Sequence, residues 1–291
     1  MPPDKAETRV YRAVYEDEKA ENTLREAVRA VCVGKKIVVI TGEGVSAIAR
    51  ASTREAKGVG KTPQAADSYS RKGKPVRVPW LAGPYRQRGR LLRYYTEEVD
   101  GIEHQTKNLA PAVSPKKNTP PDQWPLTVQL HGSIRHAVCN TCYHIPTASN
   151  SANDFWSECE NGECSGGGRL IPNIQFYNTD PLSWPLRHYH EEVIHYDVHV
   201  EYPDVLIVVG THLQSKTSKH LITEFARNVQ RKEGACIWLD GGTMEPDTHD
   251  EVMSEFTAVI KTGADAFARV VMDYMDWCER RDMKSSMEVN G

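Results

Sequence analysis

Hydrophobic residues along the chain follow two spacings, one typical of helices and one typical of buried strands. Residues 19–33 place apolar side chains at helical spacing, at Leu24, Ala27, Val28 and Val31. This spacing predicts an amphipathic helix with one face on a core. The next run, KIVVITGEG at 36–44, is short, apolar and β-branched, and it ends in glycine. Such a run predicts a buried parallel strand that opens into a tight loop.

Similar apolar runs later in the chain predict further strands, at 126–130, 203–210 and 235–240. A helix is predicted between the last two strands at 219–231, and a closing helix at 264–280. Strand, helix and strand in succession are typical of a βαβ unit, which predicts an α/β fold with a parallel sheet.

Two stretches lack this periodicity. Residues 47–88 are rich in Arg, Lys, Gly, Ser and Pro, and are predicted to be a long loop or disordered. Residues 104–125 contain several prolines and are predicted to be a surface insertion. Loops of this length are uncommon inside a compact domain, so both stretches need an explanation.

Composition narrows the classes of function. The 291-residue chain is 39% hydrophobic and carries a net charge of −3, so it has no overall basic field for nucleic acid or anionic membrane. No apolar run approaches the roughly 20 residues needed to span a bilayer, and the polar N-terminus lacks the apolar core of a leader. We therefore expect a cytosolic or nuclear protein that is neither secreted nor bound to membrane or directly to nucleic acid. In that reducing setting, seven cysteines are expected to be thiols or metal ligands.

Four of these cysteines form two close pairs. Cys139 and Cys142 enclose two residues, and Cys159 and Cys164 follow after a 16-residue excursion. Two such pairs can surround one tetrahedral Zn²⁺ ion. Four unrelated cysteines would be the alternative. With four protein ligands and no open position, the expected zinc is structural.

The loop after the first strand reads Thr41-Gly42-Glu43-Gly44-Val45-Ser46. Glycines let a backbone approach a pyrophosphate closely, and amides at a helix start supply donors. The same glycines can serve only to turn the chain, and the Glu43 carboxylate would repel phosphate unless it pointed away.

Together these motifs resemble the sirtuins, the NAD-dependent protein-lysine deacylases. The family pattern runs TGAGIS, GIPDFR, TQNIDGLE, LHGS, two CxxC-type pairs, a proline-containing strand, GTS and a final strand ending in asparagine. The matching segments here are TGEGVS (41–46), TEEVDGIE (96–103), LHGS (130–133), the four cysteines, LIPNIQFYNTDP (170–181), GTHL (210–213) and IWLD (237–240). The details look most like the fungal nuclear branch that deacetylates the core of histone H3.

The resemblance implies a Rossmann-like parallel sheet with helices on both faces, plus a small zinc-binding domain. The NAD-binding domain would comprise 20–135 and 170–282 with 47–88 irregular, the zinc module 136–169, and flexible tails 1–19 and 283–291.

The resemblance also assigns roles to residues. His131 matches the general base that acts on a ribose hydroxyl, for which an imidazole with an ordinary pKa near 6.5 is well suited. Asp100 matches the aspartate that holds the nicotinamide amide. The residues expected to bind NAD are Thr41, Gly42, Gly44, Val45, Ser46, Asp100, Gly210, Thr211 and Asp240.

The implied function is NAD-dependent deacetylation of an acetylated protein, with histone H3 as the candidate substrate, a chromatin complex as the candidate partner and the nucleus as the location. The chain departs from the pattern because GIPDFR has no counterpart, Glu97 and Glu98 replace glutamine and asparagine, and His212 replaces serine. A misassigned exon over 47–88 or true degeneration would explain the missing segment. Two alternatives therefore stand: a catalytically degenerate binding module of the same fold, and an ADP-ribosyl-transferring relative.

Overall fold

The computed structural model describes only part of the chain. The described residues are 18–42, 89–101, 103, 109, 119–146, 155–164, 166–174, 187–211, 213, 216–240 and 250–289. The predicted irregular stretch 47–88 and the loop residues Gly44, Val45 and Ser46 lie outside them. Most of the predicted insertion at 104–125 also lies outside, although 121–123 forms a turn of 3-10 helix.

A six-stranded parallel sheet forms the centre of the described fold, in the order β3-β2-β1-β6-β7-β8. Its strands are β1 (Ile37–Thr41), β2 (Leu91–Thr96), β3 (Thr127–Gln129), β6 (Val205–Val209), β7 (Ala235–Leu239) and β8 (Ala258–Ile260). All five residues of β1 and of β6 are buried, as expected for apolar runs covered on both faces. Numbered along the chain, the sheet strands run 3-2-1-4-5-6, which is the Rossmann order.

Helices cover both faces of the sheet. They are α1 (Glu18–Val33), α2 (Arg187–Tyr196), α3 (Lys216–Arg231), α4 (Asp250–Met253) and α5 (Ala264–Val289). α1 and α5 pack on one face through side chains that include Val28 and Phe267. α2 and α3 pack on the other through Val193 and Phe225. The predicted α/β class with helices on both faces is confirmed.

Element boundaries differ from the predicted ones at the C-terminus. The closing helix was expected at 264–280, with a flexible tail from 283, but α5 continues to Val289. The helix continues because RDMKSSMEV contains neither glycine nor proline, the residues that most strongly interrupt a helix. Among the described helices, none is long and apolar enough to cross a membrane.

A second sheet has two antiparallel strands, β4 (Gly132–Cys139) and β5 (Leu170–Ile174). Only two residues separate β3 from β4, so the chain passes directly from the large sheet to the small one. The cysteine-rich segment lies between β4 and β5. The small sheet therefore connects the candidate metal centre to the end of β3.

A buried ion pair fixes β2 against the helical layer. Arg93 of β2 donates Nε and Nη2 to the two carboxylate oxygens of Asp197, at 2.8 and 2.9 Å, and Tyr95 donates its hydroxyl to the same carboxylate at 2.6 Å. Asp197 begins a π-helical turn, Asp197–Glu201, that follows α2. The bidentate geometry compensates the buried charges and sets the position of α2 beside the sheet.

Candidate functional site

The predicted site residues that the structure describes lie at the carboxyl ends of neighbouring strands. Thr41 and Gly42 end β1, Asp100 follows β2, and His131 follows β3. Gly210 and Thr211 follow β6, and Asp240 follows β7. In open parallel sheets ligands bind outside these ends, at the point where the strand order reverses. That point lies here between β1 and β6.

The chain segments after β1 and β6 touch at this point. The Gly42 amide donates to the Val209 carbonyl at 2.9 Å. A Cβ atom on Gly42 would fall inside the backbone of Thr211 and 2.6 Å from the Gly210 carbonyl oxygen. Glycine at position 42 therefore permits the two segments to approach each other. Gly210 itself has φ +61°, a left-handed conformation that favours glycine.

The segment after β2 is held on both sides by backbone hydrogen bonds. The Glu97 amide donates to the Thr41 carbonyl at 2.8 Å, and the Ile134 amide donates to the Val99 carbonyl at 2.8 Å. Arg135 donates Nε to the Asp100 carbonyl at 3.1 Å. Asp100 is half-buried beside these contacts, so its loop is tied to both the large and the small sheet.

His131 lies in the turn between β3 and β4. The Leu130 amide donates to the Thr96 carbonyl at 2.7 Å, which holds the turn against the end of β2. Gly132 has φ +79°, so the turn requires glycine directly after the histidine. The residue as a whole is 8% exposed, and the position of its imidazole follows from the backbone on either side.

A second buried side chain contacts His131. Glu97 Oε1 lies 3.7 Å from His131 Nε2, an ion-pair contact longer than a short hydrogen bond. Burial acts to raise the pKa of Glu97, but its interactions with His131, Ser218 and Thr211 outweigh burial and leave the pKa below its ordinary value. The carboxylate is therefore ionised near neutral pH and lies among His131, the end of β6 and the first turn of α3.

Two more buried titratable groups belong to this region. Burial, and then the neighbouring His131, lower the pKa of His190 on α2 to about 3, so this imidazole is neutral at physiological pH. Burial, with a smaller contribution from Asp100, raises the pKa of Glu103 to about 7. Neither carboxyl oxygen of Glu103 has a hydrogen-bond partner among the described residues.

The four predicted zinc ligands come together in space. All four sulfur atoms lie within 4.8 Å of one another, with 3.7 Å between Cys139 and Cys164 and 3.7 Å between Cys142 and Cys159. A tetrahedral ion with Zn–S bonds of about 2.3 Å holds its ligand sulfurs about 3.8 Å apart. The cluster therefore fits one structural Zn²⁺ ion, with four protein ligands.

The backbone around the cluster supports this assignment. The amides of Thr141 and Cys142 both donate to the Cys139 sulfur at 3.4 Å, an arrangement that stabilises a thiolate. The Asn161 amide group lies 3.7 Å from the Cys142 sulfur. A Cβ atom on Gly168 would collide with the Cys139 sulfur and lie 2.9 Å from Thr141 Cβ, so the cluster needs glycine there.

Sequence reasoning did not find Ser218, His190 or Glu103 as site residues, and it treated Glu97 only as a departure from a pattern. Ser218 and His190 lie on helices whose distance from His131 in the sequence gives no sign of contact. The burial of Glu97 has no local signal in the sequence, since acids that follow a strand are ordinarily exposed.

No family model matches the chain. It is 31% identical over 196 residues to NAD-dependent protein deacetylase hst4 of Emericella nidulans, covering 62% of this chain and 31% of that protein. It is 30% identical over 193 residues to NAD-dependent histone deacetylase HST4 of Saccharomyces cerevisiae, covering 59% of this chain and 50% of that protein. The chain thus matches half or less of the length of these relatives.

Solved structures give the same fold. One described as Sir2 bound to acetylated peptide superposes with a TM-score of 0.58 at 17% identity, covering 87% of this chain and 98% of that chain. Another, a Sir2-p53 peptide-NAD+ complex, gives a TM-score of 0.55 at 16% identity with the same coverage. At these identities the likeness establishes the Sir2 fold for this chain.

Proposed function

Because relatives at 31% and 30% identity and the Sir2 fold together support assignment of this chain to the sirtuin family, we propose that it is an NAD-dependent protein-lysine deacetylase. One observation carries the proposal: His131, Gly42 and Gly210 lie at the same edge of the sheet, around the point where the strand order reverses. The crevice at such an edge can hold a dinucleotide beside a general base.

His131 is the general base in this proposal. NAD would supply the ribose carbon that receives the acetyl oxygen; with water consumed, the products would be nicotinamide, O-acetyl-ADP-ribose and the deacetylated lysine. His131 takes the proton from a ribose hydroxyl, for which a neutral imidazole near physiological pH is suited.

The remaining predicted residues bind and orient the dinucleotide. Thr41 and Gly42 would face the pyrophosphate together with Gly210 and Thr211, and Gly44, Val45 and Ser46 would extend this loop. Asp100 would hold the nicotinamide amide. Asp240 would accept hydrogen bonds from the hydroxyls of the adenosine ribose. The contact between the β1 and β6 segments supports this arrangement, since it brings Gly42, Gly210 and Thr211 together at one place.

The domain division follows the cysteine cluster. Residues 136–169 would form the zinc module, and 20–135 with 170–282 the NAD-binding domain. The small sheet supports this division because both proposed boundaries lie at β4 and β5. The metal would hold the module together and would not take part in the reaction.

The proposed substrate is an acetylated chromatin protein, with histone H3 as the first to test and the nucleus as the site of action. The similarity to a histone deacetylase of Saccharomyces cerevisiae supports this choice. A chromatin complex is the proposed partner.

The test uses the zinc-loaded full chain with NAD and acetylated histone H3 peptides. Nicotinamide release and peptide mass are measured for the parent, for His131→Ala and for His220→Ala. His220 is an exposed histidine on α3 and serves as the matched control. We expect turnover by the parent, unchanged turnover by His220→Ala and a loss of at least about 100-fold in His131→Ala, since a general base contributes that much. A folded, zinc-loaded parent that releases no nicotinamide would contradict the proposal.

A non-catalytic binding module is the second candidate, and two buried acids favour it. Glu97 is 7% exposed and Glu98 is 4% exposed, both directly before the loop that carries Asp100. Negative charge near the crevice would oppose a pyrophosphate. Calorimetry with NAD separates the two candidates. Zinc content near one ion per chain, together with acetylated-peptide binding but no NAD binding, would support the binding module.

A further inference from the structure

Glu97 is a buried acid at a position where the sirtuin pattern has neutral glutamine. Its side chain is 6% exposed, and the side chain of His131 opposite it is 10% exposed. Burying an uncompensated carboxylate costs several kcal/mol. The charge at position 97 therefore requires nearby groups that compensate it, and it changes the surroundings of the proposed base.

The compensating groups come from three different elements. Thr211 at the end of β6 and Ser218 in the first turn of α3 both interact with the Glu97 side chain, and both are at most 1% exposed. The first turn of a helix also favours negative charge through its amides. His131 is the third partner, at 3.7 Å, and the only one of these three side chains that can carry a positive charge.

In the part of the chain that the structure describes, two titratable side chains thus face His131 from elements packed around it. Glu97 reaches it from the end of β2, and the buried, neutral His190 from α2. Of the two, only Glu97 carries charge near neutral pH, so it is the group that can compensate an imidazolium at position 131.

We propose that Glu97 is a positioning residue for His131, holding the ring through Nε2 and compensating the charge of the imidazolium that forms during turnover. The inference rests on the proposed function, in which a ribose hydroxyl gives its proton to His131. The ring nitrogen that does not face Glu97 accepts this proton, and Glu97 remains ionised throughout. Thr211 joins this contact to the segment proposed to bind the pyrophosphate.

The test compares Glu97→Gln with the parent. Glutamine keeps the shape of the side chain and removes its charge. The matched control is Glu224→Gln, since Glu224 lies 3.8 Å from His220 on the exposed face of α3 and forms the same type of pair away from the site. We expect kcat of Glu97→Gln to fall roughly tenfold or more, as for partners that orient a catalytic group, with KM for NAD and peptide changing less than about threefold.

A second measurement does not depend on turnover. In the full chain with ¹⁵N-labelled histidine, the ring nitrogens of His131 are assigned by their loss in His131→Ala. We expect their shifts to move in Glu97→Gln and to stay unchanged in Glu224→Gln. If Glu97→Gln fails to fold, Glu97→Asp replaces it, and we expect that shorter carboxylate to move the same signals less.

The outcomes separate the two proposals. A parent without turnover contradicts the deacetylase function, while the ring signals still report on Glu97. Ring signals unchanged by loss of the Glu97 charge would overturn the positioning role. So would a rise in KM with unchanged kcat, since that would show that Glu97 acts in binding alone.

Discussion

Glu103 is a buried carboxylic acid whose protonation affects folding. Its pKa is about 7 in the folded protein, against an ordinary value of 4.5, chiefly because of burial. Below pH 4.5 both folded and unfolded states hold the proton. Between about 4.5 and about 7 the unfolded chain releases it while the folded chain keeps it, so the contribution of this group to stability falls as pH rises through that window.

Glu103→Gln should remove this dependence. A pKa shift of this size changes the free energy of unfolding by on the order of 3 kcal/mol across the window. We therefore expect the variant to gain stability relative to the parent as pH rises from 5 to about 8, measured as the free energy of unfolding in urea at each pH. Glu192→Gln, at an exposed position of α2, is the control. A difference between Glu103→Gln and parent that is independent of pH would contradict the prediction.

At the scale of elements, the cysteine module depends on one glycine. Gly168 faces the Cys139 sulfur and leaves no space for a Cβ atom, whereas a Cβ on Gly166 would meet only Thr141 Cγ2, at an ordinary 3.7 Å. The two positions are therefore a matched pair within one loop.

We expect Gly168→Ala to weaken zinc affinity at least tenfold, because the Cys139 sulfur must move from its position among the four ligands. Gly166→Ala should leave affinity within about twofold. Competition with a zinc-binding dye on the purified full chain measures both. Equal zinc affinities of the two variants would contradict the prediction, because they would show that the loop accommodates the added Cβ atom without losing affinity.

Single elements also show where sequence reasoning succeeds. β1, β6 and β7 were predicted because a short apolar run between loops indicates a buried strand by itself, without knowledge of the neighbouring strands. β2 was not predicted, because LLRYYT carries a charge in its middle. That charge is compensated by Asp197, 104 residues later, and no local pattern reports a contact over such a distance. α2 and β8 were missed because they are short and weakly periodic.

At the scale of the whole molecule, the two halves of the sheet approach each other closely at Gly42. Adding a Cβ there would push the segment after β1 away from Gly210 and Thr211, and backbone cannot move aside as easily as a side chain. Overpacking of this kind costs about 1–3 kcal/mol or more.

Gly42→Ala should therefore lower the free energy of unfolding by at least about 2 kcal/mol and weaken NAD binding at least tenfold. Gly263→Ala is the control, since a Cβ at position 263 would meet no atom within 4 Å. Urea unfolding and calorimetry give the two quantities. If Gly42→Ala kept the parent's free energy of unfolding and its affinity for NAD, that result would contradict the close approach of the two segments.

The whole molecule also shows the limit of motif matching. Motifs placed His131, Asp100 and the glycine segments at one edge because parallel strands present their carboxyl ends together. They did not find the buried groups behind that edge, Ser218 and His190, which arrive on helices through tertiary packing. The four cysteines were found because two closely spaced pairs in the sequence are a recognisable pattern of zinc ligands.

The two-residue passage from β3 to β4 restricts how this chain can change in length. His131 occupies that passage, held on one side by the hydrogen bond from the Leu130 amide to the Thr96 carbonyl and on the other by the left-handed backbone of Gly132. An inserted or deleted residue would break this arrangement and move the imidazole away from Glu97. The position of the small sheet relative to the large one therefore depends on the length of this turn.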